Sequence, residues 1–192
     1  GIEEIIASYG DTPSALGVMD MVWQLCPRVF LGASNPVRIA DLIAYRHENA
    51  SGPTQVWSNR GLAGIDGNTS TALGWASACA RLEGADYSGV TAVMGDLTFL
   101  HDASGLGLPR GEKFPPLRVI VLDDSGGSIF ESLEHGRTAS AGVYERYFGV
   151  SQRADIPALA KSYGVKTRTI SSLAKLREIL ASQVEGLEIL HL

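Results

Sequence analysis

Two aspartates that follow apolar segments are the residues of this sequence best suited to chemistry. Asp96 follows VTAVMG, and Asp124 closes RVIVLDD. Apolar, β-branched runs of this length predict neighbouring parallel strands, whose carboxyl ends form the ligand crevice of α/β sheets. Gly126 and Gly127 come next and offer backbone carbonyls and amides. Two carboxylates beside such a turn favour a hard cation such as Mg²⁺ that holds a diphosphate group.

An ordinary turn is the alternative interpretation of each aspartate. Asp and Gly are favoured after buried strands for purely local reasons, and for one aspartate alone that explanation is the better one. The pair lies at the same end of adjacent predicted strands, with two glycines just beyond the second. That combination favours a binding site.

A third segment, SNRGLAGIDGNTS at 58–70, combines glycines with an arginine. Its glycines allow close approach of the backbone to a ligand, and Asn68 or Ser70 is predicted to cap the next helix. Arg60 in this segment is suited to bidentate binding of a carboxylate, and Arg38 in GASNPVRIAD is placed to reach the same crevice. The alternative for both is a solvated surface arginine.

The composition narrows the class of partner. The chain has 192 residues, 45% of them hydrophobic, with a net charge of −5. This acidic balance predicts no nucleic-acid partner, and the absence of a long apolar run predicts no membrane insertion. Cys26 and Cys79 lie in apolar stretches, which predicts buried reduced thiols and a cytoplasmic protein. Because the chain starts at Gly1 without an initiator methionine and continues at once into IEEIIASYG, we expect it to be a piece of a longer protein.

The pattern along the chain predicts an α/β fold with a doubly wound, mainly parallel six-stranded sheet and helices on both faces. Residues 1–192 are interpreted as one domain, and the three tryptophans (Trp23, Trp57 and Trp75) as core residues. Residues 125–150 form a long irregular connection, and the length of this connection is typical of a functional or mobile loop. The predicted strands are 28–32, 55–58, 90–94, 117–122, 166–170 and 187–191. The main predicted helices are 13–25, begun by Asp11 or Thr12, and 36–45, 70–82, 155–162 and 172–184. A polar loop is predicted over HENASGPTQ.

The segments SNRGLAGIDG, MGDLTFLHD and DDSGGSIF, in this order and spacing, resemble a thiamine-diphosphate-dependent family. That family is the 2-succinyl-5-enolpyruvyl-6-hydroxy-3-cyclohexene-1-carboxylate (SEPHCHC) synthases, the MenD enzymes of menaquinone biosynthesis. The resemblance covers nearly the whole chain. It implies the carboxy-terminal domain, which binds the diphosphate of the cofactor, and therefore the thiamine-diphosphate-binding fold.

The resemblance assigns roles residue by residue. The ligands of Mg²⁺, or Mn²⁺, match the side chains of Asp96 and Asp124 and the backbone carbonyl of Gly126. At the position of Asp124 the family often has Asn. Ile65 matches the apolar residue that bends the cofactor. Other cofactor contacts match Ser34, Gly95, Leu97 and Thr98, with Leu97 in place of the glycine of the general signature. Arg38 and Arg60 match the arginines that hold substrate carboxylates, and Phe130 and Leu133 match an apolar wall.

The activity that the resemblance implies is that of a transferase. It decarboxylates 2-oxoglutarate on thiamine diphosphate and adds the succinyl unit to isochorismate. The cofactor-activating glutamate of the family belongs to a pyrimidine-binding domain of a partner subunit, so we expect a homodimer or homotetramer. This chain alone is expected to be inactive.

Two other interpretations remain open. One is another thiamine-diphosphate enzyme of the acetolactate-synthase type, which would lack the Arg38 and Arg60 pair. The other is a non-catalytic nucleotide- or flavin-binding module. Two acidic strand ends disfavour that module because they would repel a phosphate without a metal.

Overall fold

The computed structural model describes residues 1–47, 52–62 and 64–192. Six strands form a single sheet in the order β2-β1-β3-β4-β6-β5, and every neighbouring pair is parallel. The predicted fold class is confirmed. The strands are β1 (Arg28–Leu31), β2 (Gln55–Ser58), β3 (Val90–Gly95), β4 (Leu117–Leu122), β5 (Lys166–Thr169) and β6 (Leu187–His191).

Helices connect the strands and cover both faces of the sheet. They are α1 (Ile2–Ser8), α2 (Ala15–Leu25), α3 (Asn35–Arg46), α4 (Asn68–Glu83), α5 (Asp96–His101), α6 (Glu134–Thr138), α7 (Ala141–Tyr144), α8 (Ile156–Ser162) and α9 (Leu173–Leu180). In the loop predicted over HENASGPTQ, residues 48–51 lie outside the described part. No helix in the described part of the chain has the length and apolar character needed to cross a membrane.

The core lies in two layers, one on each face of the central strands. One layer packs Phe30, Met94 and Val119 against α4 and α8, and the other packs Val93 and Ile120 against α2 and α9. Because β3 and β4 are buried on both faces, they are apolar almost without interruption. Both cysteines are buried free thiols, as predicted.

Several helix ends differ from the prediction. The cap of α2 is Ser14, whose hydroxyl accepts a hydrogen bond from Gly17 N–H at 3.1 Å. Asp11 instead accepts one from Ala174 N–H at 2.8 Å, at the start of α9. Helix α9 ends at Leu180, four residues before the predicted end. Just beyond it, the carbonyl and hydroxyl oxygens of Ser182 accept hydrogen bonds from the buried Arg118.

The start of α4 also differs. Neither Asn68 nor Ser70 caps the helix with its side chain, and Gly67, in the left-handed region at φ 64°, precedes the first turn. The buried Asp102 accepts hydrogen bonds from Ser70 N–H at 2.7 Å and from Ser70 Oγ at 3.0 Å. A carboxylate from another element therefore takes the role predicted for a local cap.

Trp57 is a further correction, because it is 59% exposed. It lies on β2, the edge strand, and its ring packs on Trp75 with 5.9 Å between the ring centroids. An edge strand has a neighbour on one side only, so its side chains are covered less than those of β3 and β4. Trp23 and Trp75 are partly buried against the core, as predicted.

Candidate functional site

A cavity of about 440 Å³ lies at the carboxyl ends of β1, β3 and β4. Strand order and chain order diverge between β1 and β3, and that point is where open α/β sheets bind ligands. The volume falls in the range of small-molecule sites. The lining consists of Ser34, Asn35, Pro36, Arg38, Arg60, Gly64, Ile65, Gly95, Asp96, Leu97, Thr98, Asp124, Gly126, Gly127, Ser128, Ile129 and Phe130.

Asp96 lies deepest among the acidic residues of the cavity. It follows β3 as the first residue of α5 and is only 2% exposed. Its Oδ2 atom is buried and has no hydrogen-bond partner among the described residues. Burial, followed by the negative charges of Asp123 and Asp124, raises the pKa of Asp96 to about 6, although backbone hydrogen bonds from Leu97 and Gly126 counteract the rise. An unpaired carboxylate oxygen in such a place favours a cation as its partner.

Asp124 lies opposite, on the exposed loop after β4. The Ser128 hydroxyl donates to the carboxylate of Asp124, and Asn35 Nδ2 donates to Ser128 Oγ at 2.8 Å. Asn35 is the first residue of α3, so this chain of hydrogen bonds joins the loop after β4 to the loop after β1. The orientation of Asp124 therefore depends on two neutral polar side chains.

The turn between Asp123 and Gly127 has an unusual backbone. Ser125 has φ 64° and Gly126 has φ 144°, both positive. Asp123 Oδ1 accepts a hydrogen bond from Ser125 N–H at 3.0 Å, and Asp123 Oδ2 lies 2.8 Å from His191 Nε2 on β6. These contacts fix the direction of the Gly126 backbone, because a turn pinned at its first residue has few alternatives.

Two arginines supply the positive charge of the cavity. Arg38 lies on the first turns of α3 and donates to the Ser34 carbonyl at 3.0 Å, and Arg60 follows β2. Both arginines are exposed residues and line the open side, or mouth, of the cavity. They carry donors that an anionic ligand can use in bidentate fashion.

Apolar side chains form much of the remaining wall. Ile65, Leu97 and Phe130 line the cavity, and the Phe130 ring packs on Phe148 with 5.8 Å between centroids. Leu133, which was predicted to share this wall with Phe130, is exposed and is not part of the lining. Leu133 directly follows the short turn of helix over Ser128–Ser132 that carries Phe130.

All the other predicted site residues lie in the lining. The lining also contains Gly127 and Gly64, which belong to the glycine segments noted in the sequence, and four residues that sequence reasoning did not single out: Asn35, Pro36, Ser128 and Ile129. Asn35 lies inside the segment GASNPVR, and Ser128 lies inside DDSGGSIF. Position within those segments was the available signal, but the hydrogen bond between Asn35 and Ser128 spans 93 positions and leaves no local pattern.

The acidic groups do not form a complete metal cage by themselves. Within residues 1–47, 52–62 and 64–192, no cluster of three or more His, Cys, Asp or Glu side chains is arranged to hold a metal ion. A hard cation held by one or two carboxylates completes its shell with backbone oxygens, water and ligand phosphates. The arrangement therefore suits a metal that binds together with a diphosphate.

Comparison with known proteins agrees with this geometry. Residues 40–189 match the family described as thiamine pyrophosphate enzyme, C-terminal TPP binding domain, thiamine pyrophosphate being another name for thiamine diphosphate. SEPHCHC synthase of Renibacterium salmoninarum is 43% identical over 189 residues, covering 96% of this chain and 32% of that protein. The SEPHCHC synthase of Nocardia farcinica is 45% identical over 166 residues, covering 85% and 28%.

The resemblance seen in the sequence is thereby confirmed. The chain spans about a third of the length of these relatives, up to the 32% covered in the Renibacterium protein. The family match covers most of the chain and includes the strand ends that carry Asp96 and Asp124. The chain belongs to the family of C-terminal thiamine-pyrophosphate-binding domains of thiamine pyrophosphate enzymes.

Proposed function

We propose that residues 1–192 are the cofactor-binding domain at the carboxyl-terminal end of a SEPHCHC synthase, and that they bind thiamine diphosphate with Mg²⁺ or Mn²⁺. The observation that carries this proposal is the buried, unpartnered Oδ2 of Asp96 in a cavity shared with Asp124 and Gly126. A buried carboxylate oxygen without a partner is costly unless a cation or a proton binds there. The raised pKa of Asp96 has the same cause.

In this proposal the metal is held by Asp96, Asp124 and the Gly126 carbonyl. Asp124 carries a charge where an amide would also serve, and a second carboxylate strengthens attraction for a divalent cation. The hydrogen bond from Ser128 to Asp124 leaves the other carboxylate oxygen free to face the metal. Diphosphate oxygens complete the coordination, which explains why few acidic side chains suffice.

Thiamine diphosphate, when bound, supplies the electron sink that decarboxylation of a 2-oxo acid requires. The residues of this chain would bind and orient it. Ser34, Gly95, Leu97 and Thr98 would contact the cofactor, and Ile65 would press its middle into a bent shape. Partial burial of Ile65 and Leu97 in the lining supports an apolar contact there.

Arg38 and Arg60 would hold the carboxylates of 2-oxoglutarate and isochorismate. Both substrates are anions, and the two arginines lie at the mouth of a cavity whose deeper part is acidic. The separation favours binding of the metal and diphosphate inside and of organic carboxylates outside. Phe130 would supply an apolar wall, to which the exposed Leu133 beside it would add.

A glutamate that activates the cofactor would come from the pyrimidine-binding domain of a partner subunit. The described lining of the cavity contains no glutamate, which supports this division of labour. The enzyme would therefore be a homo-oligomer, and this chain alone would not consume 2-oxoglutarate. The buried reduced thiols of Cys26 and Cys79 support a cytoplasmic location.

Calorimetric titration of this chain with thiamine diphosphate, with Mg²⁺ or with a chelator, tests the proposal. We expect binding that requires Mg²⁺ and that disappears in Asp96→Ala, because the diphosphate would then face Asp124 without its counter-charge. Asp66→Asn is the matched control, since this exposed carboxylate lies near the cavity but outside its lining. Equal affinity in Asp96→Ala and in the unmodified chain would refute the metal site.

A second arm of the test addresses the reaction. The full-length protein should convert 2-oxoglutarate and isochorismate, whereas the purified chain with Mg²⁺ and thiamine diphosphate should not. Turnover of pyruvate in preference to 2-oxoglutarate by the full-length protein would favour an enzyme of the acetolactate-synthase type. Turnover by the chain alone would mean that the activating base lies within these 192 residues.

A further inference from the structure

Asn68 is a fully buried polar residue that lies behind the cavity without lining it. It lies between two segments, each of which carries one of the two arginines. The first arm is residues 32–38, after β1, with Ser34 and Arg38. The second arm is residues 59–62 and 64–67, after β2, with Arg60 and Ile65. Asn68 touches the backbone of both arms.

Contact with the first arm is made at Ala33. Asn68 Oδ1 accepts a hydrogen bond from Ala33 N–H at 3.2 Å, and Thr98 Oγ1 donates to the Ala33 carbonyl at 3.4 Å. The backbone N–H and carbonyl of the buried Ala33 are thus both bound by side chains from other elements. The next residue, Ser34, has φ 92°, a conformation that persists only when its surroundings impose it.

Contact with the second arm is made at Asp66. Asn68 Nδ2 donates to the Asp66 carbonyl at 3.0 Å, and Asn59 Nδ2 donates to Thr71 Oγ1 at 3.0 Å. Both ends of this arm are therefore tied to the beginning of α4. A primary amide is required at position 68 because one arm presents an N–H group and the other a carbonyl. Neither a carboxylate nor an alkyl group satisfies both.

We propose that Asn68 is a positioning residue that fixes the spacing between Arg38 and Arg60. Through that spacing it sets the length of the dicarboxylate that the enzyme accepts. The inference rests on the proposed function, because it assigns both arginines to anionic substrate, and it takes 2-oxoglutarate as the substrate whose two carboxylates span the pair. Its physical basis is that a rigid pair of bidentate clamps discriminates between diacids by length, whereas a loosened pair accepts neighbouring lengths.

A simple packing role for Asn68 makes a different prediction. A substitution that only destabilises the fold lowers the amount of active protein and reduces turnover of all substrates by the same factor. The ratio of kcat/KM values for two substrates is unchanged in that case. Length selectivity is therefore the quantity to measure.

The test compares Asn68→Ala and Asn68→Asp with the unmodified full-length enzyme. Asn68→Asp keeps the acceptor for Ala33 N–H and places an oxygen against the Asp66 carbonyl, so it loosens the second arm and remains informative if Asn68→Ala folds poorly. Thr69→Val is the matched control. Thr69 is equally buried on α4, and its hydroxyl contacts Met94 sulfur at 3.7 Å without touching either arm.

We expect the preference for 2-oxoglutarate over 2-oxoadipate, as a ratio of kcat/KM, to fall about tenfold in Asn68→Ala and less in Asn68→Asp. Calorimetric binding of glutarate and adipate to the cofactor-loaded enzyme should lose the same preference. Thr69→Val should keep the unmodified ratio even if it lowers the melting temperature.

Unchanged ratios in both Asn68 variants would overturn the inference and leave the proposed function intact. Failure of the unmodified full-length enzyme to use 2-oxoglutarate would instead overturn the proposed function, and the inference with it. The two failures are distinguishable because the second is seen before any substitution is made.

Discussion

The two sides of the cavity are held by different means. On one side, the arms that carry Ser34 and Ile65 are tied by the buried side chains of Asn68 and Thr98. On the other side, the turn at Gly126 is held by the Asp123 side chain and by close backbone contact, since Gly127 N–H donates to the Gly149 carbonyl at 2.6 Å. The first side should therefore be sensitive mainly to the removal of side-chain atoms, and the turn at Gly126 also to their addition.

The glycine turn offers the largest effect. A Cβ at Gly126 would overlap the Gly149 carbonyl oxygen, and the φ of 144° is one that L side chains rarely adopt. We expect Gly126→Ala to weaken Mg²⁺-dependent binding of thiamine diphosphate about a hundredfold, because the backbone at the proposed metal ligand must move. Calorimetric titration measures this. Gly142→Ala, where added atoms meet open space, should bind as the unmodified chain does.

Asp96→Asn removes the charge of the buried carboxylate that lies between the two sides. Because the pKa of Asp96 is raised from 3.8 to about 6, the carboxyl favours the folded state below pH 4, and that contribution is lost as pH rises through 6. Without metal, Asp96→Asn should therefore melt at a higher temperature than the unmodified chain above pH 6 and at a similar one below pH 4. Thermal melts across this range decide the matter.

Addition of Mg²⁺ and thiamine diphosphate should reverse that order. The unmodified chain gains stability from the bound ligand, whereas Asp96→Asn should gain little. Parallel melting curves for the two proteins at every pH, with and without ligand, would show that Asp96 neither carries a destabilising charge nor binds the metal.

Arg60→Lys addresses the mouth of the cavity. Lysine keeps the positive charge but lacks the planar pair of donors, so the KM for substrate in the full-length enzyme should rise about tenfold while cofactor affinity is unchanged. Arg110→Lys, on an exposed loop away from the cavity, is the control. A fall in cofactor affinity would instead make Arg60 a ligand of the diphosphate.

The smallest effect is expected where the two sides meet. Ser128→Ala removes the hydrogen bond to Asp124 and should weaken Mg²⁺-dependent cofactor binding about fivefold, with a smaller loss in Asn35→Ala. Because Asn35 reaches Asp124 through Ser128, the double variant should be no weaker than Ser128→Ala alone. Additive losses in calorimetric titrations would show that the two residues act independently.

Local sequence patterns were sufficient to predict the strands and the two aspartates at the strand ends. Continuous β-branched runs predicted β3 and β4 closely, and the ends of those strands gave Asp96 and Asp124. Exposure of Trp57 was not predicted, because strand order decides which strand lies at the edge. The sequence around a tryptophan does not indicate whether its strand lies at the edge or in the centre of the sheet.

The contacts that shape the site were beyond such patterns. Asn35 and Ser128 are 93 positions apart in sequence, and Asn68 and Ala33 are 35 apart. Asp102, 32 positions from Ser70, replaced the predicted local caps of α4 for the same reason. Polar side chains paired over such distances leave no periodicity, so their partners become visible only when the strands are assembled.

The parallel sheet has a consequence for how the protein reaches its native state. Parallel neighbours cannot be joined by a hairpin, and Arg118 and Glu188, register partners on β4 and β6, are 70 positions apart. A chain dominated by such distant pairings gains little from early local contacts and folds slowly. Asp96 and Asp124 come together only when β3 and β4 have paired, so recovery of metal-dependent cofactor binding should be a late event in refolding.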